Sequence, residues 1–175
     1  MDAIKIGVLG TAEAVRAVAA GLPARRAPPV VLDPVLATSS GAALLDEAGK
    51  RALLELLPQI ALLTPNVPEA AALLGEPEGR STEALIGQAH RLRALGTAAV
   101  LLKVGHASGE EAVDHLVDVE GARSLTGRRL PGTRRGTGCQ LASGVAAGLA
   151  GGLSLLQACE RARAHVRQRL EAPAE

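Results

Sequence analysis

Three short apolar runs, each closing on a polar residue, together with a strand-like opening segment, constrain this chain more than any other feature. They are residues 3–9 (Ala-Ile-Lys-Ile-Gly-Val-Leu, then Gly10-Thr11), 30–33 (Val-Val-Leu-Asp), 60–64 (Ile-Ala-Leu-Leu-Thr) and 98–103 (Ala-Ala-Val-Leu-Leu-Lys). Hydrophobicity that is continuous rather than alternating marks strands covered on both faces, which means parallel strands with helices packed above and below. The intervening segments carry helical signals. Thr11 caps a helix running to about Gly21, and residues 41–57 place Leu44, Leu45, Ala48, Ala52 and Leu56 on one face. Pro65 and Pro68 close the third strand and start a helix containing residues 69–74, while Ser81 heads a helix running to Leu95. Strands alternating with helices predict a three-layer α/β/α fold with a mostly parallel central sheet.

Beyond Lys103 the period changes. Residues 112–119 and 122–130, separated by Glu120-Gly121, alternate apolar and polar side chains as an antiparallel hairpin does. Two helices follow, at about 138–150 and 154–170, joined by Gly151-Gly152. At 175 residues the chain suits one domain spanning 1–175, with residues 171–175 frayed. It contains no Phe, Tyr or Trp, so its core must be built from Leu, Val, Ile and Ala. A net charge of +1 and the lack of any ring to stack on a base argue against nucleic acid. No apolar run reaches the roughly 18 uncharged residues of a membrane span. Two distant cysteines, Cys139 and Cys159, without a signal peptide, fit a reduced cytoplasmic setting. His90, His106, His115 and His165 lack ligand spacing, which argues against zinc.

In parallel α/β sheets, ligands bind beyond the carboxyl ends of the strands. Asp33, Thr64 with Asn66 and Glu69, and Lys103 all fall at or just after such ends. Gly136-Thr137-Gly138-Cys139-Gln140 turns from a loop into an apolar helix, where converging backbone N–H groups and the helix dipole suit an anion. Carboxylates and an amide can hold Mg²⁺, a lysine can neutralise phosphate, and a glycine nest can hold the phosphoryl group in transfer. Each residue also has a plainer reading. Cys139 could be a small residue in a tight helix start, and its functional reading requires a thiol acidified by the helix N-terminus. Lys103 could be solvated, Asp33 could only shape the turn before Pro34, and Asn66 with Glu69 could be a helix cap and first-turn acid. Cys159 reads as core, and Arg161, Arg163, Arg167 and Arg169 read as a solvated helix face.

With these residues in view, the chain resembles the hydroxymethylpyrimidine and phosphomethylpyrimidine kinases of thiamine synthesis, which are ribokinase-like. The resemblance rests on residues 2–10, Val31-Leu32-Asp33-Pro34-Val35, Leu63-Thr64-Pro65-Asn66-Val67-Pro68-Glu69-Ala70, Leu101-Leu102-Lys103-Val104-Gly105-His106 and Gly136-Thr137-Gly138-Cys139. It implies a kinase using ATP and Mg²⁺ to phosphorylate a small pyrimidine alcohol. Metal contacts would fall to Glu69, Asn66 and Asp33, nucleotide contacts to Lys103, Thr137, Asn66 and Asp33, and catalysis to Cys139, Gly136, Gly138 and Lys103. In the family the cysteine takes the place of the aspartate base of most ribokinase-like enzymes. Val104, Arg135 and Gln140 depart from the usual Gly, His and Thr. The chain also reads as lacking the family's opening segment, which forms much of the pyrimidine pocket. That truncation predicts an exposed sheet edge, covered by a second copy or by a partner chain. The other reading of the missing segment is a degenerate, non-catalytic relative that binds nucleotide or acts through assembly.

Overall fold

The computed structural model describes residues 2–23, 28–38, 40–105, 111–130 and 136–171; Met1, His106, Arg135 and residues 172–175, which figure in the sequence reading, lie outside the described residues. The described residues form a six-stranded sheet in the order of the chain: β1 (Ile4–Ile6), β2 (Val30–Leu32), β3 (Leu62–Leu63), β4 (Val100–Lys103), β5 (Glu111–Asp118) and β6 (Gly121–Arg128). The first four pair in parallel, and β5 and β6 join as an antiparallel hairpin. Helices α1 (Ala12–Gly21), α2 (Glu47–Leu56), α3 (Val67–Leu74), α4 (Thr82–Ala94), α5 (Thr137–Ala150) and α6 (Leu155–Glu171) complete the fold.

The pleat sorts the strand residues onto two faces. Ile6, Val30, Leu32, Leu63, Val100 and Leu102 pack in one core with residues of α1 to α4. Val31, Leu62, Ala99 and Leu101 belong to a second core with α5 and α6. This is the three-layer α/β/α arrangement expected from the continuous apolar runs. Because no ring fills space, the second layer closes through small residues. At Gly144 and Gly148 an added Cβ would lie 3.0 and 2.9 Å from the Cβ atoms of Ala162 and Ala158. Substituting Gly148→Val would force α5 away from α6, and overpacking of this kind costs about 1–3 kcal/mol. The expected result is a thermal midpoint lowered by about 2–12 °C, read by circular dichroism.

Two sequence expectations need correcting. The second helix does not begin at Gly41, because Asp46 accepts the Gly49 N–H at 2.7 Å and caps a helix starting at Glu47. Thr38 instead exchanges backbone hydrogen bonds with Gly41 and Ala42, with Gly41 at φ 87°, and Leu45 reaches the core from the loop. Nor is the arginine set of α6 a uniformly solvated face. Arg163 donates from Nε to Asp114 Oδ2 at 2.7 Å and reaches the carbonyls of Ala112 and Thr126, while Arg167 contacts the carbonyl of Arg128. These contacts tie α6 to backbone carbonyls of the hairpin.

Candidate active site

The strand ends bring together the polar residues read from the sequence, and the pleat explains why they share a face. Asp33, Thr64 and Lys103 each lie two residues beyond Val31, Leu62 and Leu101, which face α5 and α6. Asp33 is 1% exposed. Lys103 donates from Nζ to Asp33 Oδ1 at 2.9 Å, and Thr64 donates from Oγ1 to the same oxygen at 3.3 Å. A buried carboxylate survives only when paired and hydrogen-bonded in this way. Lys103 is therefore no solvated strand end, and Asp33 does more than shape a turn.

Asn66 and Glu69 form a capping box at the start of α3. Asn66 Oδ1 accepts the Glu69 N–H at 2.8 Å, and Glu69 Oε2 accepts the Asn66 N–H at 2.8 Å. The cap holds Glu69 toward the site, with Oε2 4.0 Å from Lys103 Nζ. The backbone reinforces this placement, since Lys103 donates its N–H to the Pro65 carbonyl at 2.8 Å. Burial is the first cause holding the Glu69 carboxyl above its usual range, with Lys103 pulling it back and Asp33 adding to the rise. Two carboxylates thus share one ammonium, a donor set whose negative charge is only partly offset. It fits Mg²⁺ held by one or two carboxylates together with phosphate and water, not an all-protein cage. In keeping with that, no group of three or more metal-ligating side chains occurs among the described residues.

α5 starts against the same cluster. Gly136 is its N-cap at φ 81°, a left-handed conformation that other residues adopt only with strain. No side chain caps this helix, whereas Thr11, Asp46, Asn66 and Ser81 cap α1 to α4, and Ser154 with Gln157 does so for α6. Its first-turn N–H groups thus have no capping side chain among the described residues. At Gly138 an added Cβ would stand 3.2 Å from Lys103 Nζ, so the lysine reaches the helix start. Cys139 is partly buried beside it. The expected acidified thiol is not what surrounds this sulfur. Burial first, then interaction with the Asp33 carboxylate, push the Cys139 thiol up, and the charges of Lys5 and Lys103 only partly oppose them. The thiol is a neutral group facing a carboxylate.

Two features escaped the sequence reading. Lys5 occupies the face of β1 opposite Ile4 and Ile6, and its charge reaches Cys139. Its alternation within residues 4–6 was the available signal. Asp114 accepts the Val104 N–H at 3.1 Å and pairs with Arg163, tying the end of β4 to α6. No local signal marks that pair.

The family model described as phosphomethylpyrimidine kinase matches residues 1–175. The chain is similar to the hydroxymethylpyrimidine/phosphomethylpyrimidine kinase of Escherichia coli K12, at 41% identity over 84% of this chain and 56% of that protein. It therefore spans little more than half the length of that relative. Among solved structures, it resembles the pyridoxal kinase of Staphylococcus aureus in complex with AMP-PCP, at a TM-score of 0.89 and 29% identity, covering 99% of this chain and 64% of that one. It also resembles the phosphomethylpyrimidine kinase of Clostridium difficile 630, at a TM-score of 0.81 and 27% identity, covering 97% of this chain and 69% of that one.

Proposed function

The chain belongs to the phosphomethylpyrimidine kinase family, and from that premise we propose that it transfers the terminal phosphoryl group of ATP to the hydroxymethyl group of a pyrimidine, as a cytoplasmic step of thiamine synthesis. The observation that carries this reading is the position of Lys103. Its ammonium stands between two carboxylates, Asp33 and Glu69, and the side-chain-free helix start at Gly136 and Gly138. Phosphoryl transfer is catalysed mainly by positioning and charge neutralisation, which is what such an arrangement supplies.

The geometry supports the following roles. Lys103 binds phosphate oxygens of the nucleotide, and the backbone of Gly136, Thr137 and Gly138 receives the phosphoryl group in transfer. Glu69 would hold Mg²⁺, fixed by Asn66 through the capping box, while Asp33 pairs with Lys103 through Oδ1. When bound, the ion would offset negative charge on the phosphate oxygens. Cys139 faces the acceptor hydroxyl. Because its thiol is neutral, it can take the hydroxyl proton only while its own proton passes to the Asp33 carboxylate beside it. β1 has one hydrogen-bonded neighbour, β2, in the described sheet. A strand from a second copy of the chain, or from a partner, would extend the sheet there.

The test is ATP consumption by the purified, folded chain with and without hydroxymethylpyrimidine. Stimulation is expected, and its absence with every pyrimidine alcohol tried would sink the reading. Stabilisation by AMP-PCP with Mg²⁺ but not by any pyrimidine would instead support a nucleotide-binding relative without kinase activity.

A further inference from the structure

The chain has three lysines, and they are not equivalent. Lys50 pairs with Glu47 on the surface of α2, and Lys103 pairs with Asp33 in the site. Lys5 has no ion-pair partner among the described residues, although it lies partly buried at the end of a sheet strand. A partly buried cation that no carboxylate among the described residues neutralises is a charge left open. Such a group is suited to an anion that arrives from solution.

Its position is set by three observations. Lys5 pairs in register with Val31, the residue two before Asp33, so both side chains stand on the face covered by α5. α5 packs directly on β1 and β2. The Lys5 ammonium also occupies the space over Gly7, where an added Cβ would meet Nζ at 2.7 Å. The bare glycine makes room for the lysine to fold forward past the end of the strand. Lys103 lies on β4, and β2 and β3 intervene. At the ordinary spacing of about 4.8 Å between strands, the two lysine backbones are about 14 Å apart. Both charges act on Cys139 at the start of α5, and Lys103 is the one beside the carboxylates that suit magnesium and nucleotide.

We infer that Lys5 is a second phosphate-binding cation of this site, placed on the acceptor side and fitted to an acceptor that already carries a phosphate monoester. The inference rests on the kinase reading and deepens it. An alcohol needs no second cation, whereas a phosphorylated acceptor brings a second anion to a site already occupied by the phosphates of the nucleotide. Without a counter-charge the two anions repel across Cys139. Lys5 supplies that counter-charge at the far side of the helix start, so the two phosphate groups need not compete for Lys103.

The test compares wild type with Lys5→Met, which keeps the length of the side chain without its charge, and with Lys5→Arg, which keeps the charge. Steady-state kinetics are measured with hydroxymethylpyrimidine and with phosphomethylpyrimidine, and AMP-PCP binding is measured by calorimetry. Lys5→Met is expected to lose about 10- to 100-fold in kcat/KM for the phosphorylated acceptor, as expected when a charged phosphate contact is lost. It should change less than twofold for the alcohol and for AMP-PCP affinity, and Lys5→Arg should recover part of the loss. Equal losses for the two acceptors, no loss, or weakened AMP-PCP binding would each overturn the inference, the last by assigning Lys5 to the nucleotide. Should the wild type turn over neither acceptor, the kinase reading fails by itself. Direct binding then decides the matter for Lys5: phosphomethylpyrimidine must bind wild type more tightly than Lys5→Met, and equal affinity overturns it. Gly7→Ala is an independent check, since the added Cβ displaces the ammonium and should reproduce the selective loss.

Discussion

Replacing Cys139 with alanine is expected to lower turnover by about 10²- to 10⁴-fold, the range associated with a positioned proton-transfer group. The fold should be little affected, because the side chain is only partly buried and alanine is a good helix former at the first turn of α5. AMP-PCP with Mg²⁺ is expected to stabilise the variant to the same extent as the wild type, since Lys103 and the helix backbone remain. Cys139→Ser keeps an exchangeable proton facing Asp33 and should lose less than the alanine variant. The result separates two ways in which this cysteine could matter. A thiolate base would be the sulfur's ionised form, which burial and Asp33 both disfavour here. A neutral thiol that relays a proton to Asp33 predicts the serine intermediate. If the alanine variant turns over at the wild-type rate, Cys139 has no part in proton transfer and the glycine backbone alone accounts for the loop.

The second large effect is expected from Lys103→Met. The Lys103 side chain is 15% exposed and that of its Asp33 partner 2%, so the pair is effectively buried. Removing one partner leaves a carboxylate without its counter-charge in the interior, and breaking buried pairs costs about 3–5 kcal/mol. For a chain of this length that corresponds to a thermal midpoint lowered by about 6–20 °C. The same change should abolish stabilisation by AMP-PCP. Adding Asp33→Asn to Lys103→Met removes the orphaned charge and should restore much of the midpoint without restoring nucleotide binding. That divergence between stability and binding shows whether Lys103 serves the ligand as well as the fold. A midpoint unchanged in Lys103→Met would contradict the buried pairing with Asp33.

The architecture was legible because its strands are covered on both faces. Such strands need unbroken apolar runs, and an unbroken run ending in a polar residue marks the end at which a site can form. Asp33, Thr64, Glu69 and Lys103 stand out on that basis, and the structure sets Asp33 and Glu69 beside the Lys103 ammonium, with Thr64 bonded to Asp33. What the sequence hid depends on contacts between distant segments. Lys5 lies between two isoleucines and reads as the interior of a strand until its neighbour β2 shows which face it takes. Asp114 and Arg163 meet only because α6 returns across the hairpin. The elevated Cys139 thiol depends on burial first and then on Asp33, which no local pattern links to it. The misplaced start of α2 has a different cause: Leu44 and Leu45 satisfy a helical period, but Asp46 offers the better cap, and the turn at Gly41 ends the extended segment first.

Both cores are built from aliphatic side chains, with alanine and glycine at the closest helix contact. An optical consequence follows from the absence of every aromatic ring. The folded chain is almost transparent in the near ultraviolet and has no intrinsic fluorescence, so adenine and pyrimidine rings would be the dominant chromophores in a complex. Difference spectra of those rings can then follow occupancy without a label and without a protein background. A single tryptophan placed at the exposed Val119, at the tip of the hairpin, would report local motion there as the sole emitter in the molecule.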